Sequence, residues 1–125
     1  MILADTSIWV DHLRSNNKIL ASLLEANIVL IHPFVIGELA LGNLRQRKAI
    51  LTALSDLPSI NVATEAEVLH FIDRHALSGR GIGYIDAHLL AAAKLTAGIY
   101  LWTNDSKLHS VAHQLGLAMR LHRKS

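Results

Sequence analysis

Four acidic residues in this chain share one difficulty: each falls where a charge is hard to accommodate. In the stretch GRGIGYIDAHLLAAA, residues 79–93, Asp86 is the lone carboxylate on a helix face whose neighbours are Ile82, Gly83, Leu89, Leu90 and Ala93. Burying a carboxylate without a partner costs several kcal/mol, so the chain must bring Asp86 a cation, a base or hydrogen-bond donors. Glu38 stands on a similar apolar stripe, between Phe34 and Val35 on one side and Leu41 and Gly42 on the other. Asp5 closes a short apolar run at the N-terminus, and Asp105 follows the run Tyr100, Leu101, Trp102, Thr103. Gathering all four around a divalent cation relieves them together. With oxygen donors only, and neither a cysteine nor an evident histidine ligand, the set favours Mg²⁺ or Mn²⁺ over zinc. Such an ion holds a phosphate oxygen, lowers the pKa of a bound water and stabilises charge developing at phosphorus. That chemistry points to phosphodiester hydrolysis, with Asp5, Glu38, Asp86 and Asp105 as the metal-holding and catalytic residues. Ser7 and Thr103, hydroxyl residues beside the two strand-end acids, would orient a ligand or water from behind them.

Each acid also has a purely structural reading. Asp5 and Asp105 suit helix N-caps, and Glu38 or Asp86 could pair with Arg14, Arg45 or Lys94. One such acid carries little weight; four in this placement carry much more.

The elements that must position these acids alternate between strands and helices. Residues 1–5 read as a buried strand, followed by a turn at Thr6 and Ser7, an amphipathic piece over 8–13 and a helix over 18–26 behind Ser15, Asn16 and Asn17. Residues 28–31 form a second buried strand, and Pro33 opens a helix that ends at Gly42. A further helix is expected over 45–54, a short edge strand over 60–62, and a helix from the Thr64 and Glu67 capping box to Ala76. The glycine-rich turn 79–83 leads into the Asp86 helix, which runs to about Gly98; then come a strand over 99–103, a helix capped by Asp105 reaching Leu115, and a last short strand over 117–121. Strands separated by helices imply an α/β fold, a mostly parallel sheet of four or five strands covered on both faces, with its functional crevice beyond the carboxyl ends of the strands.

The 125 residues, 51% apolar and 18% charged, fit one domain over 1–125 with a substantial core. The absence of cysteine excludes disulfides and thiolate zinc sites. The opening MILADTSIWVDH has no basic start before an apolar run, and the best membrane candidate, residues 87–102, is interrupted by His88, Lys94 and Gly98 and falls short of the about 20 apolar residues a span needs. Together these place the chain in the cytoplasm. A net charge of +2 says little about a polyanionic partner, but basic residues gather at Arg45, Arg47 and Lys48 and again at His122, Arg123 and Lys124, where they could line a phosphate path or simply face solvent. The mean hydropathy of +0.32 suggests that some apolar surface is covered by another chain.

At these residues the sequence resembles the PIN-domain nucleases, and within them the VapC toxins of bacterial toxin–antitoxin pairs. MILADTSIWVDHLR looks like the family's opening strand, acid and hydroxyl; the Pro33 to Glu38 stretch like its helix glutamate; GIGYIDAHLLAAA like its third acid; and LWTNDSKL like its Thr-x-Asp motif. The likeness spans nearly the whole chain. It implies a PIN-like three-layer sandwich and a Mg²⁺- or Mn²⁺-dependent endoribonuclease with Asp5, Glu38, Asp86 and Asp105 as its acidic site. It also implies a homodimer and a cognate VapB-type antitoxin that inserts a segment into the active-site groove. No acid of the pattern is missing.

Other signals count for less. His109 and His113 have zinc-like spacing but lack the metalloprotease glutamate, since Ser110 follows His109. His88 reads as a surface or interface residue, Trp9 and Trp102 as core or groove residues, and Gly79, Gly81 and Gly83 as relief for a turn from which Arg80 could meet RNA. A response-regulator receiver shares the size and an acidic Mg²⁺ pocket, but would place an acidic pair after the first strand, where Thr6 and Ser7 follow Asp5. A haloacid-dehalogenase-type phosphatase would want an acid at Ser7. A non-catalytic protein whose acidic pocket only binds basic groups stays open at this point.

Overall fold

The computed structural model describes residues 1–120. Strand β1 (Ile2–Ala4) runs down the middle of the sheet, and all three of its residues are buried. Successive strand side chains point to opposite faces, so burial of all three means that both faces are covered. On one side β1 pairs in parallel with β2 (Val29–Leu30), on the other with β3 (Tyr100–Trp102), giving the order β2-β1-β3. Leu3 lies opposite both Leu30 and Leu101, and Leu3 and Leu101 are wholly excluded from solvent.

Among the described residues seven α-helices connect and flank the strands: α1 (Thr6–Ser15), α2 (Lys18–Glu25), α3 (Pro33–Ala40), α4 (Arg47–Ser55), α5 (Glu65–Arg74), α6 (Tyr84–Leu95) and α7 (Ser106–Gln114). The result is the α/β sandwich expected, with a shorter sheet. Three strands form ladders among the described residues, and the two expected edge strands shrink to single parallel bridges, Ile31 with Ser59 and Leu101 with Ala118. Pro58, which has no N–H to give, accepts from the Ile31 N–H at 2.9 Å and starts the first bridge; Gly116, at φ 73°, turns the chain into the second. Strand edges this short offer little ladder for pairing with another chain. Leu121, the end of the last expected strand, and the basic residues His122, Arg123 and Lys124 lie outside the described residues.

Several boundaries move for local reasons. Helix α1 begins at Thr6, where a turn was expected, because the Asp5 carboxylate accepts from the Ile8 N–H and caps the helix at once. Helix α4 begins at Arg47 and not Arg45, because Gln46 takes a left-handed φ of 53°. The Thr64–Glu67 capping box of α5 forms as expected.

Helix α6 is the buried spine. Residues 87–93 are all buried, and the helix packs against α5 and β3. His88 lies within that run at 3% exposure, which corrects its expected surface position: the apolar stripe of α6 is wide enough to take the imidazole inside, edge-on to Phe34 and Tyr84. Trp9 and Trp102 are core residues, as expected. No helix among the described residues is long and apolar enough to cross a membrane.

Candidate active site

The parallel ladder carries β1 and β3 in the same direction, so their ends deliver Asp5 and Asp105 to one edge of the sheet. The Asp5 N–H donates to Trp102 O at 3.0 Å, which extends the ladder to the acid itself. Asp5 is 5% exposed, and both of its carboxylate oxygens are occupied. Oδ1 accepts from Ser7 Oγ at 2.5 Å and from the Ile8 N–H at 3.2 Å, while Oδ2 accepts from Thr103 Oγ1. The same two hydroxyls reach across to the next loop: Ser7 Oγ accepts from the Asn104 N–H and Thr103 Oγ1 from the Asp105 N–H, each at 3.0 Å. The position of Asp105 is thereby tied to Asp5. Ser7 and Thr103, expected behind the acids, stand there.

Asp105 is exposed and caps α7, its Oδ1 accepting from the Lys107 and Leu108 N–H groups at 2.9 and 3.0 Å. Asp86 is half-buried in the first turn of α6, where its Oδ2 accepts from the Gly83 N–H at 3.0 Å. That placement corrects the expectation of a carboxylate in the middle of an apolar face: the apolar run follows it. The preceding loop needs its glycine at residue 81, whose φ is +81° and where a Cβ would come within 2.8 Å of the Lys107 side chain. Arg80 donates to Gln114 Oε1 at 2.9 Å.

Glu38 is exposed, not buried on an apolar stripe as expected. Of its helix neighbours Val35 is buried, while Phe34, Leu41 and Gly42 are also exposed, and Glu38 and Gly42 border an open cavity. Glu38 Oε1 accepts from Thr6 Oγ1 at 2.6 Å. The sequence reading missed Thr6, although the run Asp5-Thr6-Ser7 offers two consecutive hydroxyls, one for each of two acids.

The electrostatics join all four. Burial pushes the Asp86 carboxyl above its ordinary value, the hydrogen bond from the Gly83 N–H opposes this, and the charges of Asp5, Asp105 and Glu38 push it further up. Burial raises the Asp5 carboxyl too, against the hydrogen bonds from Ser7, Thr103 and the backbone. Among the described residues no lysine or arginine is among the groups acting on either carboxyl. The N-termini of α1, α6 and α7, each carrying one aspartate, supply favourable helix dipoles, worth typically 0.3–1 kcal/mol each. The capping readings of Asp5 and Asp105 are therefore correct, Asp86 takes a helix N-terminus and not the basic partner expected for it, and Oδ1 of Asp86, Oδ2 of Asp105 and Oε2 of Glu38 are left free of hydrogen bonds among the described residues.

Among the described residues no three His, Asp or Glu side chains close around a single point in the manner of a tight metal cage. Hard oxygen donors, spare carboxylate oxygens and the mutual repulsion of the acids nevertheless fit Mg²⁺ or Mn²⁺, hard ions of which Mg²⁺ keeps several of its waters. His109 and His113 stack with ring centres 6.4 Å apart on α7 without an acidic partner in a metal-holding group.

A family model of the PIN domain matches residues 2–114, so the chain belongs to the PIN-domain family, as its four acidic motifs implied. It is also 43% identical, over 119 residues, to Ribonuclease VapC32 of Mycobacterium tuberculosis, in strains CDC 1551 / Oshkosh and ATCC 25618 / H37Rv alike. The match covers 95% of this chain and 96% of that relative.

Proposed function

We propose that this chain is a Mg²⁺- or Mn²⁺-dependent endoribonuclease toxin acting in the cytoplasm, a single PIN domain that a cognate VapB-type antitoxin neutralises. The observation that carries this reading is the delivery of Asp5 and Asp105 to one edge of the sheet, tied together through Ser7 and Thr103, with spare carboxylate oxygens on Asp86, Asp105 and Glu38 among the described residues. Similarity to a protein named a ribonuclease supports RNA as the substrate. Membership in the PIN-domain family removes the motive for the receiver-like alternative.

Asp5, Asp86 and Asp105 would hold the ion, with Glu38 at the margin. When bound there, a divalent ion supplies Lewis acidity toward a phosphate oxygen and a lowered pKa for the attacking water. Asp5 acts as the fixed point, because its hydrogen bonds come from Ile8, Ser7 and Thr103 at once. Asp105 and Asp86 each use one oxygen on a helix N-terminus and present the other. Glu38, aligned by Thr6, orients the attacking water through its free oxygen. Homodimerisation is supported by Leu41, Leu69 and Leu95, exposed by 90%, 57% and 60%, side chains whose apolar surface a second copy would cover.

The test is cleavage of total RNA by the purified chain, freed of any partner, with Mg²⁺ or Mn²⁺ against EDTA and with Asp5→Ala alongside. Cleavage that needs the metal and disappears in Asp5→Ala is expected. Equal cleavage by both proteins would mark a contaminant and remove the proposal's support.

A further inference from the structure

A cavity of about 780 Å³ opens directly beside Glu38, between α1, α3 and the loop that joins α3 to α4. Its size is that of a ligand site. Thr6, Val10, Leu13 and Arg14 line it from α1; spaced by four, three and one, they share one face of the helix, opposite the buried Ile8. Its walls change character along its length. The acid end holds Thr6 and Glu38, the middle has the apolar side chains Val10, Leu13 and Ile50, and Arg14 and Arg45 bring two guanidinium groups. Asn43 and Gln46 add amides that can both donate and accept. Gln46 makes no capping hydrogen bond at the start of α4, so its amide is not committed there. The neighbouring Arg47 turns back to Gly42 O at 3.4 Å, and with Lys48 lines a different hollow along α4. The basic run of the sequence therefore divides, and only Arg45 joins the acidic site.

We propose that this cavity binds the nucleotide next to the scissile phosphate of an RNA strand, with Arg14 and Arg45 on the adjoining phosphodiester. The assignment rests on the ribonuclease reading above. Eight residues of helix separate Thr6 from Arg14, about 12 Å along the axis, so Arg14 addresses a neighbouring phosphate and not the reacting one. The apolar middle accepts a base or ribose face, and the amides accept or donate to a base edge. A planar guanidinium matches phosphate oxygens two at a time. An acidic protein segment would also satisfy the arginines, but it would bring its carboxylates toward Glu38 without base-edge groups for Asn43 and Gln46.

The test uses the Asp5→Asn chain, expected to hold RNA without cutting it, a fluorescein-labelled single-stranded RNA oligonucleotide in Mg²⁺, and anisotropy across a NaCl series. Arg14→Ala and Arg45→Ala, at exposed positions and compared at equal Tm, are each expected to weaken binding and to flatten the plot of log K against log salt by about 0.7, the loss of one single-strand phosphate contact. Arg45→Lys keeps the charge and is expected to keep the slope. If RNA binds and neither alanine variant changes the slope, the cavity assignment is overturned while the ribonuclease reading stands. If those variants lose binding only to a poly-glutamate peptide, the cavity belongs to a protein segment and the RNA assignment is likewise overturned. If Asp5→Asn, at a Tm matching the natural chain, binds no RNA at any salt, the cavity assignment falls, while the ribonuclease reading is decided by the cleavage assay.

Discussion

Asp5 and Glu38 each accept a hydrogen bond from a hydroxyl of the same Asp-Thr-Ser run, yet their surroundings are opposite. Asp5 is 5% exposed and held from both oxygens by three residues of two chain segments, whereas Glu38 is exposed at the rim of an open cavity and, among the described residues, held by Thr6 alone. The strand-end half of the site is fixed before any ligand arrives. Its helix half leaves room, and room is what a polymeric substrate requires. A buried polar network with every member satisfied is rigid, and removing one member leaves the others uncompensated; an exposed pair has water to replace a lost partner.

Unequal consequences of mutation are the way to break this contrast. Asp5→Ala should have the largest effect. It removes the fixed point of the proposed metal site, orphans the buried Thr103 hydroxyl at about 1–3 kcal/mol and uncaps α1 at roughly 0.5–2 kcal/mol. RNA cleavage should fall to the EDTA level, and thermal unfolding should report the lost stability. Thr103→Val keeps the shape but frees both Asp5 Oδ2 and the Asp105 N–H, and cleavage should drop about 10–100-fold, as for other partners that orient metal ligands. Thr6→Val, on the open side, should cost less than Thr103→Val in rate and little in Tm, since Glu38 is exposed. If Thr6→Val proved as damaging as Thr103→Val, the two halves would not differ as described.

A smaller effect lies in the aromatic cluster behind the site. His32 is fully buried, its Nδ1 accepts from the Phe34 N–H at 3.0 Å, and burial together with the facing imidazole of His88 lowers its pKa to about 4. The folded state thus disfavours the protonated ring, while the unfolded chain takes up a proton near 6.5. Stability should therefore decline as pH falls from 6.5 toward 4 and lose this dependence below that. His32→Asn keeps an N-cap acceptor and removes the titration, so its stability, lower overall for the lost packing, should show a flatter slope across that window in denaturant melts. An unchanged slope would mean that another group sets it.

Much of this was legible in the sequence because it depends on short-range chemistry. A proline early in α3, the Thr64 and Glu67 pair and the strand-end position of Asp5 each specify a local geometry, and each forms as read. Asp86 and Glu38 were found for a reason that the fold only partly honours: neither lies within a buried apolar face, one being in the first turn of α6 and the other beside a cavity. What periodicity cannot report is which neighbour an apolar stripe meets. His88 was misplaced for that reason, since its burial depends on Phe34 arriving from α3 and Tyr84 from its own helix. The edge strands came out too long because single-residue bridges leave no pattern that distinguishes them from ladders.

The central claim, that Asp5, Glu38, Asp86 and Asp105 form one cation site, is tested most directly by the Tm of the metal-free protein as Mn²⁺ is added, in the natural chain and in Asp86→Asn. Ionised Asp86 is disfavoured by the fold, its pKa being raised, so without metal Asp86→Asn is expected to melt higher than the natural chain at neutral pH, and this advantage should vanish as pH falls toward 3.8 and Asp86 protonates. Mn²⁺ should then raise the Tm of the natural chain and leave that of Asp86→Asn nearly unmoved. An equal Mn²⁺-dependent rise in both proteins would contradict the claim.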